Sequence, residues 1–238
     1  ISGSGNKKSF SKNNLSKISK SLNEEQKKFN ISLCGGDTTF SNQLSFTITS
    51  VGFSNKIVYR NKAKYNDDVY ITGNVGDSFI GLQILKKKIK CTRKESNLFI
   101  KKYYQPDIQI KLTKTILKHA NTSIDVSDGL ISDLKKMINK QNLSYSLDFD
   151  KVPISKSLVK LITDKKLDKS QIISNGDDYQ ILFTANPKKS RIINNVSRNL
   201  GIKITKIGKI YSGTEKSVII NEKGKQIAIK NVGYTHQF

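Results

Sequence analysis

The stretch Ile124-Asp125-Val126-Ser127-Asp128-Gly129-Leu130 places a short acidic loop between an apolar segment and the start of a predicted helix. Leu130, Leu134 and Met137 follow the loop at helical spacing. The loop therefore lies at a helix N-terminus, where carboxylates can accept hydrogen bonds from free backbone N–H groups. For either aspartate alone, a helix cap or a turn explains the residue as well as a ligand does.

Two further loops combine glycine with aspartate. They are Gly35-Gly36-Asp37-Thr38-Thr39 and Gly176-Asp177-Asp178. Glycine lets the backbone approach a ligand closely, and Mg²⁺ prefers oxygen ligands while it keeps waters and binds substrate phosphates. Carboxylates that are brought together repel one another unless a cation joins them. Three such loops in one chain therefore indicate a magnesium-dependent site that handles phosphate.

Other kinds of active site find little support in the sequence. The chain has two histidines, His119 and His236, and it has neither a Gly-x-Ser-x-Gly elbow nor a Gly-Lys-Ser/Thr phosphate loop. The Gly3-Ser4-Gly5 segment matches only part of such a loop, and no predicted strand precedes it. This segment is therefore predicted to be a flexible start. No covalent nucleophile is expected.

The charge of the chain requires an explanation, because 238 residues carry a formal net charge of +23. Basic proteins of this kind can bind nucleic acid through its phosphates. Here the positive charge is almost all lysine and is scattered along the chain, whereas proteins that read bases favour arginine. The sequence predicts a solvated lysine surface that can also steer anionic substrates. Nucleic-acid binding remains an alternative from another functional class.

Cysteine content and hydropathy bear on the location of the protein. Cys34 and Cys91 are the only cysteines and do not form a metal-ligand pair. No apolar run approaches the roughly 20 residues that a membrane helix needs, and residues 1–8 lack the apolar stretch of a signal peptide. The sequence predicts a cytoplasmic protein that does not enter membranes.

Periodicity predicts an α/β chain in two parts. A helix is predicted over 15–29, a short strand over 31–34, and a half-buried strand around Leu44, Phe46 and Ile48. A charged stretch over 55–68 predicts a boundary, which gives domains 1–60 and 61–238. In the second domain, Asp77 or Ser78 is predicted to cap a helix. The other predicted strands are 69–72, 144–149, 179–185, 203–210 and 216–229, and the other predicted helices are 94–103, 108–119, 155–163 and 188–200.

These loops, together with Thr72-Gly73 and Gly76-Asp77-Ser78, resemble those of the thiamine-monophosphate kinase family. The order and spacing agree from about Leu15 to the closing Gly233-Tyr234-Thr235-His236-Gln237-Phe238. The wider superfamily, which includes aminoimidazole ribonucleotide synthetase, shares the fold but usually differs at the Gly-Gly-Asp-Thr-Thr loop. Another ATP-using enzyme of this superfamily is therefore the nearest alternative.

The resemblance implies an α/β (α+β) fold. A partial N-terminal sheet domain, assigned to 1–60, would bind ATP and Mg²⁺ and pair into a dimeric barrel with a second subunit. The C-terminal domain would be a mixed sheet covered by helices. The implied reaction transfers the γ-phosphoryl group of ATP to thiamine monophosphate, and it produces thiamine diphosphate without a covalent enzyme intermediate.

The resemblance also implies roles for individual residues. Those implied to contact ATP are Gly36, Asp37, Arg60 and Ser127. Those implied to hold Mg²⁺ are Asp37, Asp125 and Asp128. Those implied to line the thiamine monophosphate site are Asp177 and Tyr234.

The chain departs from the family pattern at several places. Asp177 stands where the family usually has Glu, Tyr65-Asn66 replaces a Pro-Gly turn, and Gln109 replaces a common Arg. The family's opening segment, with a Gly-Asp-Asp loop and two further aspartate motifs, has no counterpart before Ile1. The resemblance therefore implies that residues 1–238 alone have an incomplete metal site and weak or no activity.

Overall fold

The structure is a computed structural model that describes residues 1–229 and 232–234. The chain divides into two compact units, Ile1–Asn55 and Lys56–Phe238. The sequence places the domain boundary after residue 60, inside the charged stretch that follows Asn55. Among the described residues, none of the helices has the length and apolar character needed to cross a membrane.

The first unit contains a three-stranded sheet and one long helix. Its elements are β1 (Ser2–Gly5), α1 (Lys12–Phe29), β2 (Asp37–Phe40) and β3 (Ser45–Thr47). The strand order is β2-β1-β3, with β1 parallel to β2 and antiparallel to β3. The helix predicted over 15–29 is therefore confirmed and begins slightly earlier, at Lys12.

The prediction of a flexible start was wrong, because β1 is the central strand of this sheet. Alternating Ser and Gly give no apolar signal, but the missing side chains leave room for aromatic rings. A Cβ at Gly3 would lie 3.2 Å from the ring of Phe46, and one at Gly5 would lie 3.0 Å from the ring of Phe10. Close aromatic packing therefore favours glycine in this strand.

The prediction of a strand over 31–34 was also wrong. Helix α1 ends at Asn30 in a left-handed conformation (φ 52°), and the side-chain oxygen of Gln26 accepts a 2.6 Å hydrogen bond from the Leu33 amide. The chain stays irregular until β2, which begins at Asp37. The strand expected around Leu44, Phe46 and Ile48 is only β3, and all three side chains are exposed rather than half-buried.

The second unit contains a six-stranded sheet and seven α-helices among its described residues. The strands are β4 (Asp68–Thr72), β5 (Thr122–Asp125), β6 (Leu143–Asp148), β7 (Ile181–Ala185), β8 (Ile204–Ser212) and β9 (Val218–Ile220). The helices are α2 (Asp77–Leu85), α3 (Arg93–Tyr104), α4 (Thr113–His119), α5 (Leu130–Met137), α6 (Lys156–Lys165), α7 (Lys169–Ile173) and α8 (Ser190–Leu200). The sequence did not predict α7, and the strand predicted over 216–229 is limited to β9.

The strand order of this sheet is β5-β7-β4-β8-β6-β9, and only β6 and β9 pair in parallel. β4 is buried along its whole length, so it packs on both faces. Val69 and Ile71 join one apolar cluster with Leu134 of α5, whereas Tyr70 joins another with Ile193 of α8. Helices therefore cover a mixed sheet, which confirms the predicted α/β class and the predicted C-terminal architecture.

Candidate functional site

The loop after β5 and the loop before β7 are hydrogen-bonded to each other. β5 and β7 are antiparallel, with Asp125 opposite Ile181, so the end of one strand meets the start of the other. Three backbone bonds continue the pairing, from Val126 N to Gln180 O (2.9 Å), from Tyr179 N to Val126 O (2.9 Å) and from Asp177 N to Ser127 O (3.0 Å). The structure thus joins two of the three acidic loops that the sequence singles out.

Two glycines make this approach possible. A Cβ at Gly176 would overlap the carbonyl oxygen of Ser127, and a Cβ at Gly129 would overlap that of Ser174. Gly129 also has φ 114°, a conformation that residues with a Cβ rarely adopt. The close contact of the two loops therefore depends on the absence of a side chain at both positions.

Asp133, in the first turn of α5, fixes the first acidic loop through hydrogen bonds. Its Oδ2 accepts hydrogen bonds from the amides of Ser127 (3.0 Å) and Asp128 (2.9 Å). The side chain is buried, and this burial raises the pKa of the Asp133 carboxyl. Asp133 is not among the site residues predicted from the sequence. The sequence did contain a signal for it. An acidic residue in the first turn of a helix can accept hydrogen bonds from the amides that precede the helix.

The two predicted metal ligands on this loop have different surroundings. Asp125, at the end of β5, is exposed to solvent. Asp128 is half-buried, and its Oδ2 forms a close ion pair with Lys136. Lys136 also lies 3.2 Å from Asp133. One lysine therefore neutralises part of the charge on this side of the loop, whereas the Asp125 carboxylate is open to a ligand.

Asp177 and Tyr234 both lie against the same loop. Asp177 is half-buried, and its pKa is raised by burial and then by the charge of Asp128. The amide of Tyr234 donates a 2.9 Å hydrogen bond to the carbonyl of Asp128, and the Tyr234 side chain is exposed. The structure therefore brings Asp125, Ser127, Asp128, Asp177 and Tyr234 together in the second unit. The final residues of the closing motif, 235–238, lie outside the described residues.

Asp178 points away from this loop and caps a helix. Its carboxylate accepts hydrogen bonds from the amides of Gly76 (2.7 Å) and Ser78 (3.4 Å) at the N-terminus of α2. The prediction that Asp77 or Ser78 provides this cap was wrong. Asp77 is buried and accepts a 2.7 Å bond from Ser155, and Ser78 donates to Lys102 O. Burial raises the pKa of Asp178 to about 8.

Arg60 and an apolar cavity lie near the two ends of β5. The carbonyl of Tyr59, next to Arg60, accepts a 2.7 Å hydrogen bond from Thr122 at the start of the strand. Arg60 is exposed, and within the described part of the chain it forms no salt bridge. A cavity of about 300 Å³ is lined by Asp125 and by apolar side chains that include Val58, Ile116 and Ile181.

The remaining predicted residues, Gly36 and Asp37, belong to the first unit. The amide of Asp37 donates a 3.1 Å hydrogen bond to Ile1 O, and its Oδ1 accepts a 2.7 Å bond from the Thr38 amide. A Cβ at Gly36 would overlap the Ile1 carbonyl, which explains the glycine. Asp37 is exposed at the start of β2.

The carboxylates suit Mg²⁺ in their chemistry, since oxygen donors are the ligands that this ion prefers. Asp125 and Asp128 are two such donors on one loop. Within residues 1–229 and 232–234, however, no three His, Cys, Asp or Glu side chains are arranged so that they could hold a metal ion together. The described residues thus offer two carboxylates on one loop.

Comparisons with known proteins agree with the motifs. No protein-family model matches the chain. A thiamine-monophosphate kinase from Buchnera aphidicola (subsp. Schizaphis graminum) is 35% identical over 228 residues, which are 93% of this chain and 69% of that protein. The one from Leptospira interrogans is 30% identical over 218 residues, which are 91% of this chain and 67% of that protein.

A solved structure described as AaThiL complexed with AMPPCP and TMP has the same fold. It superposes with a TM-score of 0.79 at 22% sequence identity, over 98% of this chain and 72% of that one. The fold, the joined acidic loops and the sequence identity over most of the chain lead to one assignment. This chain belongs to the thiamine-monophosphate kinase family.

Proposed function

We propose that this protein transfers the γ-phosphoryl group of ATP to thiamine monophosphate and releases thiamine diphosphate and ADP. The observation that carries the proposal is the joining of Asp125–Gly129 to Gly176–Gln180 in a family whose named members are thiamine-monophosphate kinases. A structural relative in complex with AMPPCP, which is an ATP analogue, supports ATP as the phosphoryl donor.

The proposed roles follow the family pattern. The proposed ATP contacts are Gly36, Asp37, Arg60 and Ser127. The proposed Mg²⁺ ligands are Asp37, Asp125 and Asp128. The proposed contacts of thiamine monophosphate are Asp177 and Tyr234. The open carboxylate of Asp125 and the positions of Asp177 and Tyr234 beside Asp128 support these roles.

The chemistry requires little of the protein beyond placement of the reactants. A terminal phosphate oxygen of thiamine monophosphate attacks the γ-phosphorus, and the bond from that phosphorus to the β-phosphate oxygen of ATP breaks. Because the second pKa of a phosphate monoester is about 6, the attacking oxygen is already ionised at neutral pH. No general base or covalent nucleophile is therefore required.

The residues of the chain would position these groups and balance their charge. Mg²⁺, held by the carboxylates, would neutralise charge on the phosphates. The Arg60 guanidinium, exposed and without a salt bridge among the described residues, can bind a phosphate through two parallel hydrogen bonds. The backbone bonds between the two loops support these roles, because they would keep the proposed acceptor contact Asp177 at a constant distance from the proposed metal ligand Asp128.

We propose that the protein works as a cytoplasmic homodimer. Support for a partner surface comes from the first unit, in which Phe40, Val51 and Phe53 are 79%, 80% and 99% exposed. Apolar surface of this kind is typical of a protein interface. Support for the cytoplasm comes from two cysteines that are both free thiols. If the surface that contains Phe53 forms the dimer, Phe53→Ser should raise the dissociation constant of the dimer in sedimentation experiments.

The test of the function is the formation of thiamine diphosphate from thiamine monophosphate and ATP by the protein at its natural length. Product should require Mg²⁺ and should fall at least about 100-fold in Asp125→Ala, because a removed metal ligand leaves phosphate charge unbalanced. Asp164→Ala changes an exposed aspartate in α6 and is the matched control. A folded protein that makes no product, or that phosphorylates another small molecule instead, would contradict the proposal.

A further inference from the structure

The segment Gly176–Gln180 alternates its side chains although it lies outside the regular part of β7. Asp178 and Gln180 are buried. Asp177 is half-buried and Tyr179 is 45% exposed, so these two side chains are the more accessible ones of Asp177–Gln180. Tyr179 is therefore accessible two residues from the one that is proposed to contact thiamine monophosphate.

The backbone of this segment is held in a conformation that ordinary residues avoid. Asp177 has φ 68° and Tyr179 has φ 49°, both in the left-handed region. The hydrogen bonds of their amides to Ser127 O and Val126 O fix the two residues in this state. A bulky aromatic residue that is kept left-handed costs free energy, and such costs cluster at binding and catalytic sites.

The surroundings of the Tyr179 side chain are negative in a chain that is otherwise strongly positive. Burial raises the pKa of the Tyr179 hydroxyl, and the carboxylates of Asp177, Asp125 and Asp128 raise it further. The Tyr179 amide is bonded to Val126 O and the Asp177 amide to Ser127 O, so Tyr179 lies beside this acidic loop. An aromatic face beside carboxylates is the arrangement that binds organic cations.

From this geometry we propose that Tyr179 contacts the acceptor, and that its ring packs against the positively charged thiazolium ring of thiamine monophosphate. This inference rests on the proposed function, because it adds a residue to the acceptor site. The thiazolium nitrogen carries a permanent positive charge, so cation–π attraction and the nearby Asp177 would both select for it. Tyr179 would thus determine specificity for a cationic acceptor.

The test compares thiamine monophosphate with a neutral analogue in which carbon replaces the thiazolium nitrogen. Binding of both to the full-length protein is measured by calorimetry without ATP, and KM is measured for both substrates with ATP. The unchanged protein should prefer the cationic ligand by roughly tenfold, which is the size of one good cation–π contact. Tyr179→Leu should lose most of this preference and raise KM for thiamine monophosphate, with KM for ATP unchanged.

Three variants separate recognition from a general structural role. Tyr179→Phe keeps the ring and should retain the preference. Tyr179→Asn removes the ring but tolerates a left-handed backbone, so it replaces Tyr179→Leu if that variant does not fold. Tyr65→Leu changes another exposed tyrosine of the same unit and should have no effect.

The outcomes distinguish this inference from the proposed function. If the protein makes thiamine diphosphate and Tyr179→Leu keeps the preference for the cation, the role of Tyr179 is wrong and the function stands. If the protein makes no thiamine diphosphate but binds thiamine monophosphate, the binding preference alone decides the role of Tyr179. Absence of binding by the unchanged protein overturns both.

Discussion

At the scale of single residues, the acidic side chains of this chain divide into those open to ligands and those that hold backbone. Asp125 is exposed at the end of a strand, whereas Asp133 and Asp178 are buried and accept hydrogen bonds from amides. The two kinds cannot be told apart by residue type. They differ in their hydrogen bonds, because backbone amides donate to the carboxylates of Asp133 and Asp178.

Replacement of Asp133 by Ala should damage the site without touching a substrate. The amides of Ser127 and Asp128 would lose their acceptor, and unsatisfied buried donors cost about 1–3 kcal/mol each. We expect a loss of about 2 kcal/mol in the free energy of unfolding, measured with urea, and at least about a tenfold loss of kcat/KM. Asp133→Asn, which keeps an acceptor oxygen, should recover much of the stability. Equal losses in both variants would argue against this role.

The buried carboxyl of Asp178 should make stability depend on pH. Burial raises its pKa to about 8 in the folded chain, against about 3.9 in an unfolded one. Since the folded state holds the proton more tightly, this contribution is complete below about pH 4 and is lost as the pH rises through about 8. The free energy of unfolding should therefore fall with rising pH by at most about 1.4 kcal/mol per unit from this group.

Asp178→Asn removes that titration. Urea unfolding at pH 5.5, 6.5 and 7.5 should show a weaker fall of stability with pH in the variant than in the unchanged protein. Asp164→Asn changes an exposed aspartate and should leave the pH dependence as it was. A variant with the original slope would mean that Asp178 does not titrate in this range.

At the scale of elements, the site depends on how closely the loops that flank β5 and β7 approach each other. Gly176→Ala should separate these loops, because its Cβ would overlap the Ser127 carbonyl oxygen and backbone must move. We expect a cost of about 3 kcal/mol in unfolding free energy and loss of most activity. Gly201→Ala is the control, since Gly201 is left-handed (φ 62°) with open space around it and should cost only about 1 kcal/mol.

The sequence predicted elements well where local signals agree. Helix α5 follows its loop with apolar residues at helical spacing, and α3 begins at a Thr92–Glu95 capping box. β1 was missed because its Ser-Gly alternation carries no apolar pattern, and the supposed strand over 31–34 was apolar but unpaired. Strand order could not be predicted, since it depends on contacts between segments that are far apart in sequence.

The same division applies to the candidate site. The loops containing Asp125, Asp128 and Asp177 could be identified from glycine and aspartate, and the structure joins them. Asp178 was not recognised as a cap, because its partners Gly76 and Ser78 are far away in sequence. Asp133 was missed although its partners Ser127 and Asp128 are close in sequence. Tyr179 belongs to the same motif but was given no role, because nothing in the sequence reveals a left-handed backbone at a tyrosine.

At the scale of the whole molecule, the net charge of the chain is positive, whereas the candidate site is rich in negative side chains. The chain carries +23, yet its candidate site is formed by carboxylates. A positive surface raises the local concentration of anionic substrates, and salt weakens this attraction because the Debye length is about 10 Å at 0.1 M. The lysines would then assist the arrival of substrates and take no part in the chemical step.

This separation predicts how activity responds to salt. As NaCl rises from about 50 to 300 mM, kcat/KM for ATP should fall several-fold and kcat should stay nearly constant, since screening acts on encounter. The value for thiamine monophosphate should fall less, because its phosphate charge is smaller and is partly offset by the thiazolium. A neutral osmolyte at matched osmolarity is the control.

If kcat/KM for ATP and kcat/KM for thiamine monophosphate do not change with salt, the lysines only keep the protein hydrated. If a duplex DNA probe binds tightly and its affinity falls steeply with salt, the basic surface has a nucleic-acid partner that the acidic site does not explain.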